Sequence, residues 1–306
     1  MSLTPALDYV LTAAEKPAAV ETRVQDYIAL LKPRVMTLVV FSGIAGMVMA
    51  PGIGDMHPFL ALVAVFCIAV GAGAAGAVNM WYERDLDARM QRTKNRPLPQ
   101  GRMDSADALG FAVVLTILSV GLMGVAINWT AAGLLAFASF FYVFVYTIWL
   151  KPRTPQNIVI GGAAGAFPPV IGWAAVTGDV SWAAVIMFMI IFMWTPPHFW
   201  ALALVRNDDY RRANIPMLPV TAGAAATKWQ MLVYTLLMTP FVFAPSLMGM
   251  TGHLYTLGAA VLHGLFTLSA LRVLRAQNYD RPAWQMFGYS IFYLFAIFAL
   301  MMADKV

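Results

Sequence analysis

Nine runs of about 20 apolar residues, separated by charged breaks, limit what this chain can become. They cover roughly 36–50, 58–80, 107–127, 130–149, 157–177, 182–203, 230–249, 253–271 and 285–303, the first being short. A hydrocarbon layer about 30 Å thick needs helices of about this length, and in lipid each backbone N–H and C=O must be satisfied within its own segment. Alternating barrel strands do not fit, because the runs are too long and too uniformly apolar. The expected fold is an all-α integral membrane protein, a bundle of about nine transmembrane helices. Composition agrees: 60% of the 306 residues are hydrophobic and 11% charged, about half the charge of a soluble domain.

Orientation follows from the basic residues. Numbering the loops alternately puts Lys16, Arg23, Lys32, Arg34, Arg84, Arg89, Arg92, Lys94, Arg96 and Arg102 on one side. Lys151, Arg153, Arg206, Arg211, Arg212, Lys228, Arg272, Arg275 and Arg281 fall on the same side, and Lys305 alone lies opposite. The N-terminus is therefore expected in the cytoplasm and the C-terminus across the membrane, which requires an odd number of spans. Membrane topology also accounts for the net charge of +5, so nucleic acid is not an expected partner.

Cys67 lies inside an apolar run, which leaves neither a disulfide framework nor a cysteine metal site. The first 30 residues lack the basic and apolar regions of a signal peptide. Asp26, with Val24, Tyr27, Ile28, Leu30 and Leu31, points to a short interfacial helix within the N-terminal segment 1–35. No linker divides the chain, so residues 1–306 read as a single membrane domain.

The two largest loops on the basic side resemble each other. One runs from Asn79 through Glu83, Asp85 and Asp87 to basic residues and Arg96-Pro97-Leu98-Pro99. The other runs from His198 through Arg206, Asp208, Asp209, Arg211 and Arg212 to Pro216-Met217-Leu218-Pro219. They are four spans apart, as a duplication in parallel orientation would place them. The opposite loops offer only Asp55, His57, Asn128, Asp179 and His253, a poor set for chemistry.

Asn79, Glu83 and Asp87 recur every four residues, so on a helix they share one face, about 6 Å apart along the axis. An amide and two carboxylates are hard oxygen ligands suited to Mg²⁺ bridged to phosphate oxygens. Asp85 falls on another face. Arg89, Arg92, Lys94 and Arg96 could meet the same phosphates directly. Either cluster alone reads equally as a wet helix end whose bases serve topology. Two clusters of matched layout beside apolar spans favour a site, and a metal-held diphosphate is the simplest ligand using both signs of charge. Its departure would leave an allylic cation.

Asn79-x-x-x-Glu83-x-x-x-Asp87 followed by Arg92-Thr93-Lys94-Asn95-Arg96-Pro97-Leu98-Pro99 resembles the first aspartate-rich motif of the UbiA-type intramembrane prenyltransferases, with Glu83 where Asp is usual. More narrowly, four strings are similar to the protoheme IX farnesyltransferase (heme O synthase) family: Lys32-Pro33-Arg34, Thr154 through Gly162, Pro168 through Trp173, and Thr195-Pro196-Pro197-His198-Phe199-Trp200 with Asp208-Asp209-Tyr210. The resemblance covers nearly the whole chain from about residue 28.

It implies farnesyl diphosphate and heme b as substrates, Mg²⁺ as cofactor, and heme O as a product for terminal oxidases. Heme A synthase and oxidase assembly proteins are implied partners, beside membrane lipid. The implied location is a bacterial inner membrane with the active site facing the cytoplasm. Carried over by motif, Asn79, Glu83 and Asp87 form the first metal–diphosphate site, and Asp208 and Asp209 help form the second. His198 stands where the wider family begins its second acidic motif. It could orient diphosphate, ligate or position heme, shuttle a proton, or simply pack among Trp194, Phe199 and Trp200. Lys94, Arg96, Lys151, Arg153 and Arg206 are candidates for diphosphate or heme propionate contacts. Gly71, Gly73 and Gly76, and Gly161, Gly162 and Gly165, are expected to allow close helix approach. Two other readings remain: a related enzyme acting on a quinone precursor or chlorophyll-type acceptor, and a transporter, which would need charges at mid-membrane depth.

Overall fold

A computed structural model of the chain describes residues 22–306, so Lys16 and the expectation about a signal peptide lie outside the described residues. The helices are α1 (Val24–Leu30), α2 (Pro33–Met49), α3 (Pro58–Tyr82), α4 (Ser105–Ala126), α5 (Trp129–Leu150) and α6 (Asn157–Thr177). They continue with α7 (Trp182–Val205), α8 (Gly223–Leu247), α9 (His253–Arg275) and α10 (Asp280–Ala303). Among the described residues, eight helices, α3 to α10, are long and apolar enough to cross a membrane; α1 and α2, bent by 51° at their junction, make a ninth if counted as one span.

Most helices match the apolar runs closely. The exceptions are α8 and α10, which begin at Gly223 and Asp280, ahead of the expected 230 and 285. Polar residues there continue the helix beyond the apolar stretch: the Thr227 hydroxyl donates to the Gly223 carbonyl, and Lys228 reaches the Ala276 carbonyl at 2.9 Å. The short helix expected in this segment is α1, with Val24 and Ile28 exposed and Asp26 and Leu30 turned inward.

Helices in lipid associate by close packing, because lipid tails are as apolar as the side chains. At the tightest crossing, α2 meets the second half of α6. A Cβ placed on Gly46 would lie 2.0 Å from the Pro169 carbonyl oxygen, and one on Gly172 would lie 2.0 Å from that of Gly43. The expected glycine contacts are mixed. Gly161 receives the Tyr146 ring, Gly162 meets Thr195, Gly71 meets Leu135 and Gly73 meets Leu31, whereas Gly165 has open space. Gly76 leaves passage for the Lys32 side chain, whose Cδ would be 3.5 Å from an added Cβ.

Two irregularities shape the interior. α6 breaks at Phe167, just before Pro168 and Pro169, neither of which can continue an i→i−4 ladder. α5 ends in a π-helical stretch over Phe141–Leu150, in which the Lys151 N–H bonds the Tyr146 carbonyl. Such widened turns are frequent at functional sites. At the opposite end of the bundle, Lys305 donates to the carbonyls of Val48 and Ala50, and Asp304 accepts the Tyr255 N–H. Phe41 of α2 also stacks on Phe295 of α10 at 4.2 Å, so the first and last long helices are fastened together.

Gly46→Ala should therefore destabilise the fold by about 1–3 kcal/mol, because backbone rather than a flexible side chain occupies the space. Gly133→Ala, at an open helical position of α5, should be neutral or stabilising. Melting curves of both variants in one detergent make the comparison.

Candidate active site

The π-helical end of α5, the end of α3 and the α1–α2 junction meet on the basic side. Asn79 lies in the last turn of α3, and Glu83 sits between α3 and the short turn Arg84–Asp87. The i→i−4 bonds continue across this junction, Glu83 N–H to the Asn79 carbonyl at 3.0 Å and Asp87 N–H to the Glu83 carbonyl at 2.7 Å. The helical spacing read from sequence therefore persists. Asn79, Glu83 and Asp87 are all buried, while Asp85 is exposed, as its different face requires.

Each of the three meets one cation. Lys32 Nζ donates to Asn79 Oδ1 at 2.7 Å, Lys151 Nζ to both Glu83 oxygens at 2.5 and 2.6 Å, and Arg96 Nη1 to Asp87 Oδ2 at 2.6 Å. Asn79 Nδ2 donates in turn to Thr147 Oγ1 at 3.1 Å, which fixes the amide with its oxygen toward Lys32. A buried carboxylate without such partners would lose its charge or destabilise the helix end. Lys32 has left-handed backbone, φ 51°, a conformation that costs a non-glycine residue about 1–3 kcal/mol unless its surroundings hold it. The Asn79 contact and the passage beside Gly76 are what hold it.

The remaining predicted cations do not join this ladder. Lys94 is exposed and its side chain has no hydrogen bond or ion pair among the described residues. Arg153 turns back to donate to the Ile148 and Trp149 carbonyls. Arg206, at the end of α7, lies over the Trp284 ring at 5.9 Å. In the second cluster Asp209 is buried and paired with Arg212 at 2.5 Å, whereas Asp208 is exposed and only 3.9 Å from Arg211. The two loops are nevertheless joined: Met90, just past Asp87, and Tyr210, next to Asp209, share an apolar cluster with Ile158, Ala203 and Met217.

Sequence reasoning placed Lys32 in a motif but gave it no contact, and it missed Tyr142, Tyr146 and Thr147. Nothing in their spacing from Asn79 could have found them, since the contacts depend on how α2 and α5 pack on α3. Lys32 also lies 6.0 Å from the Tyr142 ring, which stacks on Tyr146. Nearby segments hold two buried acceptors with no partner among the described residues, Asn157 Oδ1 and Asn207 Oδ1. Such atoms are rare in native interiors.

Among the described residues, no three His, Cys, Asp or Glu side chains gather as a metal cluster. The donors present are instead Asn79, Glu83 and Asp87, an all-oxygen set that fits Mg²⁺ keeping some of its water and bridging to phosphate. Lys151 and Arg96 match the two carboxylates in charge, and Lys32 adds a further donor that an anionic ligand could meet.

His198 and His263 differ in their surroundings. Both ring nitrogens of His263 are occupied, Nε2 by Thr239 Oγ1 at 3.0 Å and Nδ1 by Tyr293 OH at 3.2 Å. Among the described residues, His198 has one hydrogen-bond partner, Ser290 Oγ, 2.6 Å from Nδ1.

Comparison with known proteins agrees with this architecture. The UbiA prenyltransferase family profile matches residues 39–297. The protoheme IX farnesyltransferase of Erythrobacter litoralis is 52% identical over 299 residues, covering 96% of this chain and 97% of the relative. That of Rhizorhabdus wittichii is 57% identical over 286 residues, covering 92% and 94%. Among solved structures, a digeranylgeranylglyceryl phosphate synthase superposes with a TM-score of 0.76 at 16% identity, covering 92% of this chain and 97% of its own. A UbiA homolog from Archaeoglobus fulgidus, bound to GPP and Mg²⁺, gives 0.62 at 16% identity, covering 90% and 99%. With a bundle of the same fold and a family match across most of its length, the chain belongs to the UbiA prenyltransferase family.

Proposed function

We propose that this chain, acting as a single membrane domain, transfers a farnesyl group from farnesyl diphosphate to a vinyl group of heme b, with addition of water, to give heme O. The observation that carries the reading is the buried Asn79–Glu83–Asp87 row met residue by residue by Lys32, Lys151 and Arg96. The choice of heme b as acceptor rests on relatives more than 50% identical that carry the name protoheme IX farnesyltransferase. Their names favour it over a quinone precursor.

In the proposed reaction the C1–O bond of farnesyl diphosphate breaks and diphosphate leaves with the electron pair. The terminal vinyl carbon forms the new C–C bond to C1, the positive charge moves to the carbon next to the porphyrin, and water adds there and loses a proton. Mg²⁺, when held at one site by Asn79, Glu83 and Asp87 and at a second by Asp209 with Asp208 at its rim, would neutralise the leaving diphosphate. Lys151 and Arg96 hold the carboxylates in place, Lys32 holds the Asn79 amide, and all three are poised to donate to diphosphate oxygens as these enter. Lys94, Arg153 and Arg206 lie farther out, where they suit capture of an anionic headgroup or propionate. Burial of the row strengthens each of these contacts relative to water.

The row faces the cytoplasm of a bacterial inner membrane in this reading, because its loops carry the basic residues. Heme O would pass onward to heme A synthase or oxidase assembly proteins.

Purified protein with heme b, farnesyl diphosphate and Mg²⁺ should yield heme with the mass of one farnesyl group and one hydroxyl group added. Chelation of Mg²⁺ should abolish the product, and Asp87→Ala should lower its rate by about 10²-fold or more. Lys151→Met should also lower the rate, since it leaves Glu83 buried without its partner. Product from other acceptors but none from heme b would keep the family and overturn the acceptor.

Orientation can be read separately. With Cys67 replaced by Ala, a single cysteine at Gln100 should react with an impermeant thiol reagent only in inverted vesicles, and one at Val306 only in right-side-out cells.

A further inference from the structure

A groove of about 320 Å³ runs between α9 and α10, and none of its lining residues belongs to the Asn79–Glu83–Asp87 row or to the cations that meet it. Its walls are graded from polar to apolar. Arg272, in the last turn of α9, and Gln285, in the second turn of α10, stand at the basic end of the bundle. Leu265 lies two helical turns deeper than Arg272, about 10 Å along the axis. Leu265 and Leu268 are 48% and 42% exposed, so this wall opens toward lipid, and the buried Met286 closes the groove on the α10 side.

Two hydroxyls in the groove are already engaged. Ser269 donates to the Phe266 carbonyl at 2.6 Å and Tyr289 to the Leu262 carbonyl at 2.9 Å. The side-chain donors left are Arg272 and Gln285, both exposed and without a hydrogen bond or ion pair among the described residues. Other bases of the same interface have partners: Lys228 donates to the Ala276 carbonyl, Arg153 to those of Ile148 and Trp149, and Arg212 pairs with Asp209. Charge along this stretch is nearly of one sign, since Arg272, Arg275 and Arg281 are set against Asp280 alone.

A guanidinium with free N–H groups at the interface, above an apolar cleft open to the bilayer, fits a phosphate head carrying an acyl tail. A zwitterionic phospholipid would also bring an ammonium group, which the arginines repel. We infer that the groove between α9 and α10 binds an anionic phospholipid, with its phosphodiester at Arg272 and Gln285 and an acyl chain along Leu265, Leu268 and Met286. The lipid bridges the two helices beside the short loop that joins them. This site is independent of the reaction proposed above.

The test is native mass spectrometry of the full chain in detergent, titrated with dioleoyl phosphatidylglycerol or dioleoyl phosphatidylcholine. Phosphatidylglycerol should be retained, and phosphatidylcholine should bind about fivefold more weakly or worse. Arg272→Gln should weaken phosphatidylglycerol binding by about fivefold or more. Arg275→Gln removes the same charge one turn away, outside the groove lining, and should change it by about twofold or less. Leu268→Trp fills the cleft without altering charge and should expel the lipid as well, so the inference does not depend on how well Arg272→Gln folds. Equal affinity for the two lipids, equal loss in Arg272→Gln and Arg275→Gln, or unchanged binding in Leu268→Trp would overturn it. So would displacement of the retained lipid by farnesyl diphosphate, which would give the groove to the prenyl substrate, or a two-chain mass that Leu268→Trp removes, which would give it to a second copy.

Discussion

Two carboxylates, Glu83 and Asp87, are buried at the end of an apolar helix, and much of the site's architecture is the means of keeping them there. A carboxylate in that position is tolerated only with a cation close by and its oxygens hydrogen-bonded. The cations come from well-separated parts of the chain: Lys151 from the end of α5 and Arg96 from the loop after Asp87, with Lys32 from the α1–α2 junction holding the adjoining Asn79. Satisfying one short row therefore brings several segments together, and the π-helical turn of α5 and the left-handed backbone at Lys32 are local distortions that permit it.

The two loops that look alike in sequence are built differently. In the first, Asn79 and Glu83 are held by partners far along the chain; in the second, Asp209 and Asp208 look to Arg212 and Arg211 within the same short helix, Asn207–Arg212. The matched layout is thus not matched electrostatics. The second loop closes on itself, joined to the first through the apolar cluster around Ile158 and Tyr210. Its distinguishing polar groups are His198 and Asp209, both buried.

The helices were largely legible because hydropathy is a local property, and they diverged where polar residues such as Thr227 and Asp280 extend a helix beyond the apolar run. The Asn79–Glu83–Asp87 face was legible for the same reason, since a period of four residues survives folding. The choice among cations was not. Lys94, Arg96, Arg153 and Lys151 all lie near the same interface, and only packing selects Arg96 and Lys151 over an exposed Lys94 and an Arg153 that caps its own helix. Ser290 was invisible as the partner of His198 because 92 residues separate them.

The fastening of the final residues to the first long helix carries a mechanical consequence. Lys305 is hooked to the carbonyls that end α2, and Phe41 and Phe295 interlock along the same pair. The bundle is in effect a ring of staves whose seam is stitched on the side away from the charged row.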